Sequence, residues 1–150
     1  MRALIASLAV AAGIAFIGSA LAAAGLEQML PNLPRCETGQ FFLDPVSQEP
    51  KSEYLRTLAP YKIEKGFAHY RLKATYHGLP VTELMVPAST WGVFALTFDM
   101  PLPKARAQLK AKLGSEFSSM AAHDAGRAPF LHEDRSNNLR SVLVCTSAQQ

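Results

Sequence analysis

The sequence predicts an α+β domain: a small antiparallel sheet in the order β-β-β-α-β-β, one helix packed on a face of that sheet, and a loop-rich N-terminal segment tied on by a disulfide. Three observations predict it. A ten-residue stretch, Phe67–Tyr76, alternates apolar and polar residues. Apolar residues at helical spacing run through Leu102–Leu113, between strand-like segments. The only two cysteines, Cys36 and Cys145, stand far apart in the chain.

The chain starts with Met1-Arg2, an apolar run through residues 3–16, and the small residues Gly18-Ser19-Ala20-Leu21-Ala22-Ala23. This is the order of a secretory signal: a positive start, an apolar middle and small residues where signal peptidase cuts. Ala20 and Ala22 place cleavage after Ala22. The rival is an uncleaved inner-membrane anchor, because about 20 apolar residues suffice to cross a bilayer. No cysteine lies near the cut, which argues against a lipoprotein. The expectation is a signal peptide over residues 1–22 and one exported domain over residues 23–150, in the periplasm or beyond.

One domain of that length can hold a single core. The formal charge of +3 drops by one with Arg2, too little to argue for nucleic acid. The 49% hydrophobic content is raised by the signal and does not by itself imply a membrane protein. Two cysteines in an exported chain read as one structural disulfide, Cys36–Cys145. No Cys-x-x-Cys spacing supports a redox pair.

Residues 26–30 form one short amphipathic turn before Pro31. Pro31, Pro34, Gly39, Pro45 and Pro50 then mark a loop-rich region, residues 23–60, that carries Phe41 and Phe42. A short helix is expected over residues 51–58, ended by Pro60. Phe67–Tyr76 is the clearest strand, with Ala68, Tyr70, Leu72, Ala74 and Tyr76 on one face. Gly78 turns the chain, and residues 81–86 return as its hairpin partner, ended by Pro87. Residues 91–98, apolar on both faces except Thr97, suit a central strand. Leu102, Ala105, Leu109 and Leu113 make the buried stripe of a helix that starts with prolines and stops at Gly114. Residues 129–133 and 139–146 read as a last hairpin around a loop of residues 134–138.

The candidate partner-binding surface is the outward row His69, Arg71, Lys73, Thr75 and His77. Residues two apart in a strand share a face at intervals of about 7 Å, so these five form a flat cationic strip. The ordinary alternative is a solvated face whose charge deters edge pairing. The helix carries Lys104, Arg106, Lys110 and Lys112 without an acidic residue inside it, so its cations must meet solvent, phosphate or a partner. His123-Asp124 and His132-Glu133-Asp134 are the nearest things to catalytic or metal chemistry. Adjacent strand residues point to opposite faces, so His132 and Glu133 do not share an ion readily, and no metal site is expected. The catalytic residues of any enzyme here stay unassigned: no Gly-x-Ser-x-Gly elbow, phosphate loop or dinucleotide fingerprint occurs, and no cofactor is implied. Trp91 reads as core; exposed beside Phe41 and Phe42, it would be an anchor for a partner.

These features point to a binding protein that recognises another macromolecule in the cell envelope or outside it. Its sharpest form is an inhibitor or immunity protein against a cell-wall-degrading enzyme or toxin. Two other classes are weighed against it. One is a small envelope hydrolase built on His123, Asp124, His132, Glu133 and Asp134. The other is an envelope accessory protein binding anionic lipid or glycan through Arg71, Lys73 and the helix lysines.

Overall fold

A computed structural model describes residues 24–89, 92–118 and 128–147. Trp91, His123 and Asp124 lie outside the described residues, as does the signal-like segment. In chain order the elements are β1 (Ala24–Gly25), α1 (Leu26–Met29), a 3-10 turn (Leu33–Arg35), α2 (Glu53–Arg56), β2 (Lys62–Glu64), β3 (Phe67–Tyr76), β4 (Leu79–Pro87), β5 (Gly92–Phe98), α3 (Leu102–Leu113), β6 (Phe130–Asp134) and β7 (Asn137–Ser147).

The strands make one sheet in the order β1-β3-β4-β5-β7-β6, with β2 pairing β3 beside β1. Every pairing is antiparallel except the two-residue contact of β1 with β3. The expected β-β-β-α-β-β order is thereby corrected, since β1 and β2 precede the first strand it named. With two and three residues, these strands are too short to display a period of two. The last hairpin is also tighter than expected. β6 and β7 leave only Arg135 and Ser136 between them. Asp134 Oδ1 accepts the Ser136 N–H at 2.9 Å and the Ser136 hydroxyl at 2.7 Å, which closes the turn.

Two other hairpins turn on residue pairs with positive φ. Lys65 and Gly66 stand at φ 51° and 82°, and His77 and Gly78 at 47° and 80°. Turns of this hand match the twist of the strands they join, and glycine adopts them without strain. The His77–Gly78 turn is held from two sides. Its His77 N–H donates to Glu27 Oε2 at 3.2 Å, and its His77 carbonyl accepts from Gln108 Nε2 at 2.7 Å. Segments from α1 and α3 therefore meet at one turn.

Leu79 and Val81 of β4 are buried, and so are Leu84 and Val86. Buried residues in a regular strand recur every second position, but Val81 and Leu84 stand three apart. The pairing shows why: Tyr70↔Leu84 and Arg71↔Glu83 follow one register, and Ala74↔Val81 and Tyr76↔Leu79 another. A bulge between them resets the side-chain alternation and leaves Thr82 and Glu83 on the far side of the sheet from the core.

The core face carries Ala68, Tyr70, Leu72, Ala74 and Tyr76 of β3, with Leu84, Leu96, Phe98, Leu131 and Leu143 from the other strands. The N-terminal segment adds Leu26, Leu30, Leu33, Phe41, Leu43 and Leu55 to the same cluster, and α3 adds Ala105 and Leu109. Phe41 is buried and meets Phe94 edge to face, with ring centroids 6.3 Å apart. Cys36 and Cys145 form the expected disulfide, with Cα atoms 5.2 Å apart and a sequence separation of 109. Closing a loop of about 100 residues contributes about 4.7 kcal/mol in the chain-entropy treatment. That bond, with the Leu43 N–H donating to the Pro87 carbonyl at 2.9 Å, fastens a proline-rich segment with little regular structure to the sheet.

Gly78 and Gly66 allow a direct test of the clamp on the β3–β4 turn. A Cβ at Gly78 would stand 2.7 Å from Gln108 Nε2, while one at Gly66 would meet nothing within 4 Å. Both substitutions to Ala strain a left-handed residue by about 1–2 kcal/mol. Gly78→Ala should destabilise further, by the about 1 kcal/mol of a displaced hydrogen bond. Urea midpoints of the two variants measure the difference, and equal midpoints would show that Gln108 holds nothing.

Candidate docking face

The side of the sheet away from the core is built from two rows that cross the strands in register. One runs Lys62, His69, Met85, Ala95, Val144, Phe130, and the other Arg71, Glu83, Thr97, Val142, His132. The middle of the face is therefore apolar. Met85, Val142, Val144 and Phe130 are half-buried, and Ala95 between them is buried without belonging to the core cluster. The buried residues of α1, α2 and α3, namely Leu26, Leu55, Ala105 and Leu109, all belong to the core cluster. Among the described residues, no helix contributes to the opposite side.

A polar cluster closes this face at its β2–β3–β4 corner. The Tyr61 hydroxyl donates to Glu83 Oε1 at 2.7 Å, and His69 Nδ1 lies 3.3 Å from the same oxygen. Because a carboxylate only accepts, the His69 contact requires a hydrogen on Nδ1. The Arg71 guanidinium lies over the Tyr61 ring, 4.6 Å from its centroid. Partial burial and the Glu83 carboxylate together push the Tyr61 phenol up to about 12. Tyr61 owes its place to its backbone N–H, which donates to the His69 carbonyl at 2.9 Å and prolongs the β2–β3 pairing by one residue.

The expected row of five is thus divided. His69, Arg71 and Lys73 lie on the outer face, with Arg71 and Lys73 exposed and His69 half-buried. Thr75 is half-buried where β1 pairs with β3. His77 is not in the strand at all: it belongs to the turn, with its ring edge-on to Tyr76 at 4.6 Å. Tyr61 and Glu83, which complete the cluster, were not expected from the sequence. The signal for Glu83 was present, since the three-residue step from Val81 to Leu84 marks the bulge that turns it outward. Tyr61 stands between Pro60 and a strand too short to show a pattern.

The other candidate groups do not converge. His132 Nδ1 lies 2.7 Å from the Glu133 carbonyl, Glu133 itself is exposed, and Asp134 pairs with Arg140 at 3.1 Å. Although partial burial opposes its charge, hydrogen bonds from Ser136 and the nearby Arg140 hold the Asp134 carboxyl below its usual range. On α3, Lys110 reaches past the helix end to Glu116 at 2.8 Å, and Arg106 donates to the Leu131 carbonyl at 3.5 Å. No group of three or more His, Cys, Asp or Glu side chains among the described residues is arranged to hold a metal ion. A shallow depression lined by Met29, Gln40, Phe41, Ser52, Glu53 and Tyr54 contains one carboxylate and no histidine, so it offers no acid–base pair.

Both edges of the sheet are largely occupied. On β6, the Leu131 N–H donates to the Phe117 carbonyl at 2.8 Å, and the Leu131 carbonyl is met by Arg106. On β3, β2 takes residues 67–69 and β1 takes residues 74–75, leaving only residues 70–73 without a strand on that side. A ligand therefore meets a face of this sheet more readily than an edge. No protein-family model, no curated protein and no solved structure matches the chain.

Burial raises Tyr54, Tyr70 and Tyr76 as it raises Tyr61, and these are all four tyrosines of the chain. Unfolded phenols titrate near 10. A phenol whose folded value lies higher stabilises the fold at neutral pH and below. That contribution is lost as the pH climbs from about 10, and for Tyr61 the loss continues to about 12. Ultraviolet titration of the folded protein should show less than half of the phenols ionised at pH 10. Half-ionisation at that pH would contradict the buried and hydrogen-bonded placements.

Proposed function

We propose that this protein is an exported binding protein that docks another protein on the open face of its sheet and performs no chemistry itself. Its sharpest form is an inhibitor or immunity protein directed at a cell-wall-degrading enzyme or toxin. The observation that carries the reading is the apolar row Met85, Ala95, Val144, Phe130, which ends in the Tyr61–Arg71–His69–Glu83 cluster. Interface cores are depleted of charge and enriched in aromatic residues, Met and Arg, and Tyr and Arg are among the side chains that most often carry binding energy.

The setting supports the same reading. The Cys36–Cys145 bond fits an oxidising compartment, in line with a signal peptide cleaved after Ala22 and release into the periplasm or beyond. No helix of the described residues is long and apolar enough to cross a membrane. In this proposal α3 closes the core face of the sheet, which leaves the opposite face for the partner. The hydrolase reading loses support because His132, Glu133 and Asp134 diverge. The lipid or glycan reading loses Lys110 to its ion pair with Glu116.

The test is affinity capture from envelope and secreted fractions with three forms of the exported, oxidised protein: wild type, Met85→Asp/Val144→Asp, and Glu53→Ala. A protein held by the wild type and by Glu53→Ala, but reduced at least tenfold on the double variant, supports docking on this face. Circular dichroism confirms that each variant is folded. Retention by the double variant places the partner elsewhere and overturns the reading.

A further inference from the structure

We infer that the open face selects an acidic partner, with Arg71 receiving a carboxylate from a protein segment whose neighbouring side chains are aliphatic. The inference rests on the docking reading above and specifies its chemistry.

The charges of the face are unevenly satisfied. Lys62 pairs with Glu64 at 2.6 Å, and Arg140 with Asp134 at 3.1 Å. Glu83 stands opposite Arg71 in register, and a simple pair between them would be expected. Its Oε1 instead accepts from Tyr61 and faces His69. Among the described residues, Arg71 makes neither an ion pair within 4.0 Å nor a side-chain hydrogen bond, and Lys73 beside it is also unpaired. The unmet charge of the face is therefore positive and concentrated on two neighbouring outward positions of β3.

Arg71 is also positioned for use. Its guanidinium lies over a ring that is itself fixed through the Tyr61 hydroxyl. A guanidinium held over a ring by cation–π attraction spends none of its N–H donors on that contact, so they stay available for a carboxylate, and a side chain held in place loses less entropy on binding. Tyr61 is 43% exposed, enough to be covered by whatever reaches Arg71. The apolar row begins one register position away, with Met85 beside Glu83 along β4. A carboxylate set among aliphatic side chains would satisfy both parts of the surface at once. An anionic lipid surface is the less suitable occupant, since two unpaired cations supply only about 1 kcal/mol each toward a charged bilayer.

The experiment is a nuclear magnetic resonance titration of the isotope-labelled, oxidised protein with three blocked hexapeptides, alternating Leu with Glu, Leu with Gln, or Leu with Lys. The Leu-Glu peptide should shift the resonances of Arg71, Tyr61, Met85 and Ala95 and bind at least tenfold more tightly than the other two. Arg71→Ala should remove that preference, and Arg71→Lys should restore only part of it. Equal binding of the three peptides on this face would overturn the carboxylate assignment and leave the docking reading standing. Shifts confined to other surfaces, or none, would overturn the assignment as well, while the fate of the docking reading is decided by the capture experiment. In a parallel arm with vesicles of phosphatidylglycerol and phosphatidylethanolamine, binding that depends on Arg71 would reassign the occupant to lipid. Absence of such binding agrees with a protein partner.

Discussion

The bulge that separates Arg71 from Ala74 on β3 and Val81 from Glu83 on β4 is the constraint on which both sides of this sheet depend. On the near side of it, Leu79 and Val81 point into the core; beyond it, Leu84 and Val86 do. A strand without the bulge would keep its period of two and carry Glu83 inward after Val81. It would bury a carboxylate among Tyr70, Leu96 and Phe98, which is strongly unfavourable. One added residue spares the core a charge and places that charge beside Tyr61 and His69. The same local irregularity therefore shapes the core and the polar corner of the outer face.

The two faces divide the work of the molecule. The core face gathers everything that is short of regular structure: the proline-rich segment through Leu30, Leu33 and Leu43, the disulfide, and the buried residues of α3. The backbone hydrogen bonds of that segment run mostly within it, with the Leu43 N–H reaching out to Pro87, so the covalent bond and the buried leucines carry its attachment. The outer face receives none of these elements. It keeps an aliphatic centre that would ordinarily be covered, bounded by groups that are mostly paired with one another. Among the described residues Arg71 and Lys73 are the exception, and they lie along the part of β3 that neither β1 nor β2 reaches.

Much of the architecture was legible in the sequence because long elements repeat their pattern. Phe67–Tyr76 shows five apolar residues in alternation and is a strand with that burial. The run from Leu102 to Leu113 ends at Gly114 with φ 76°, as a residue just past a helix should. The cysteine pairing followed from there being only two. What stayed hidden was either short or non-local. β1 and β2 have too few residues to show a period. The joining of Tyr61 to Arg71 and Glu83 depends on three strands meeting. The alternation that ends the strand at Tyr76 continues through His77 and puts it in the outward row, whereas the Gly78 that follows draws both His77 and Gly78 into a tight turn. Glu83 was the one missed member of the site with a visible mark, in the spacing of Val81 and Leu84.

The central claim is that the face carrying Met85 and Val144 is open while the face carrying Leu84 and Leu96 is closed. The most direct measurement is paramagnetic relaxation of side-chain methyl groups by a soluble gadolinium chelate. Openness predicts strong broadening at the methyl groups of Met85 and Val144 and little at those of Leu84 and Leu96. Equal protection of all four would mean that the outer face is already covered, and the docking account would fail with it.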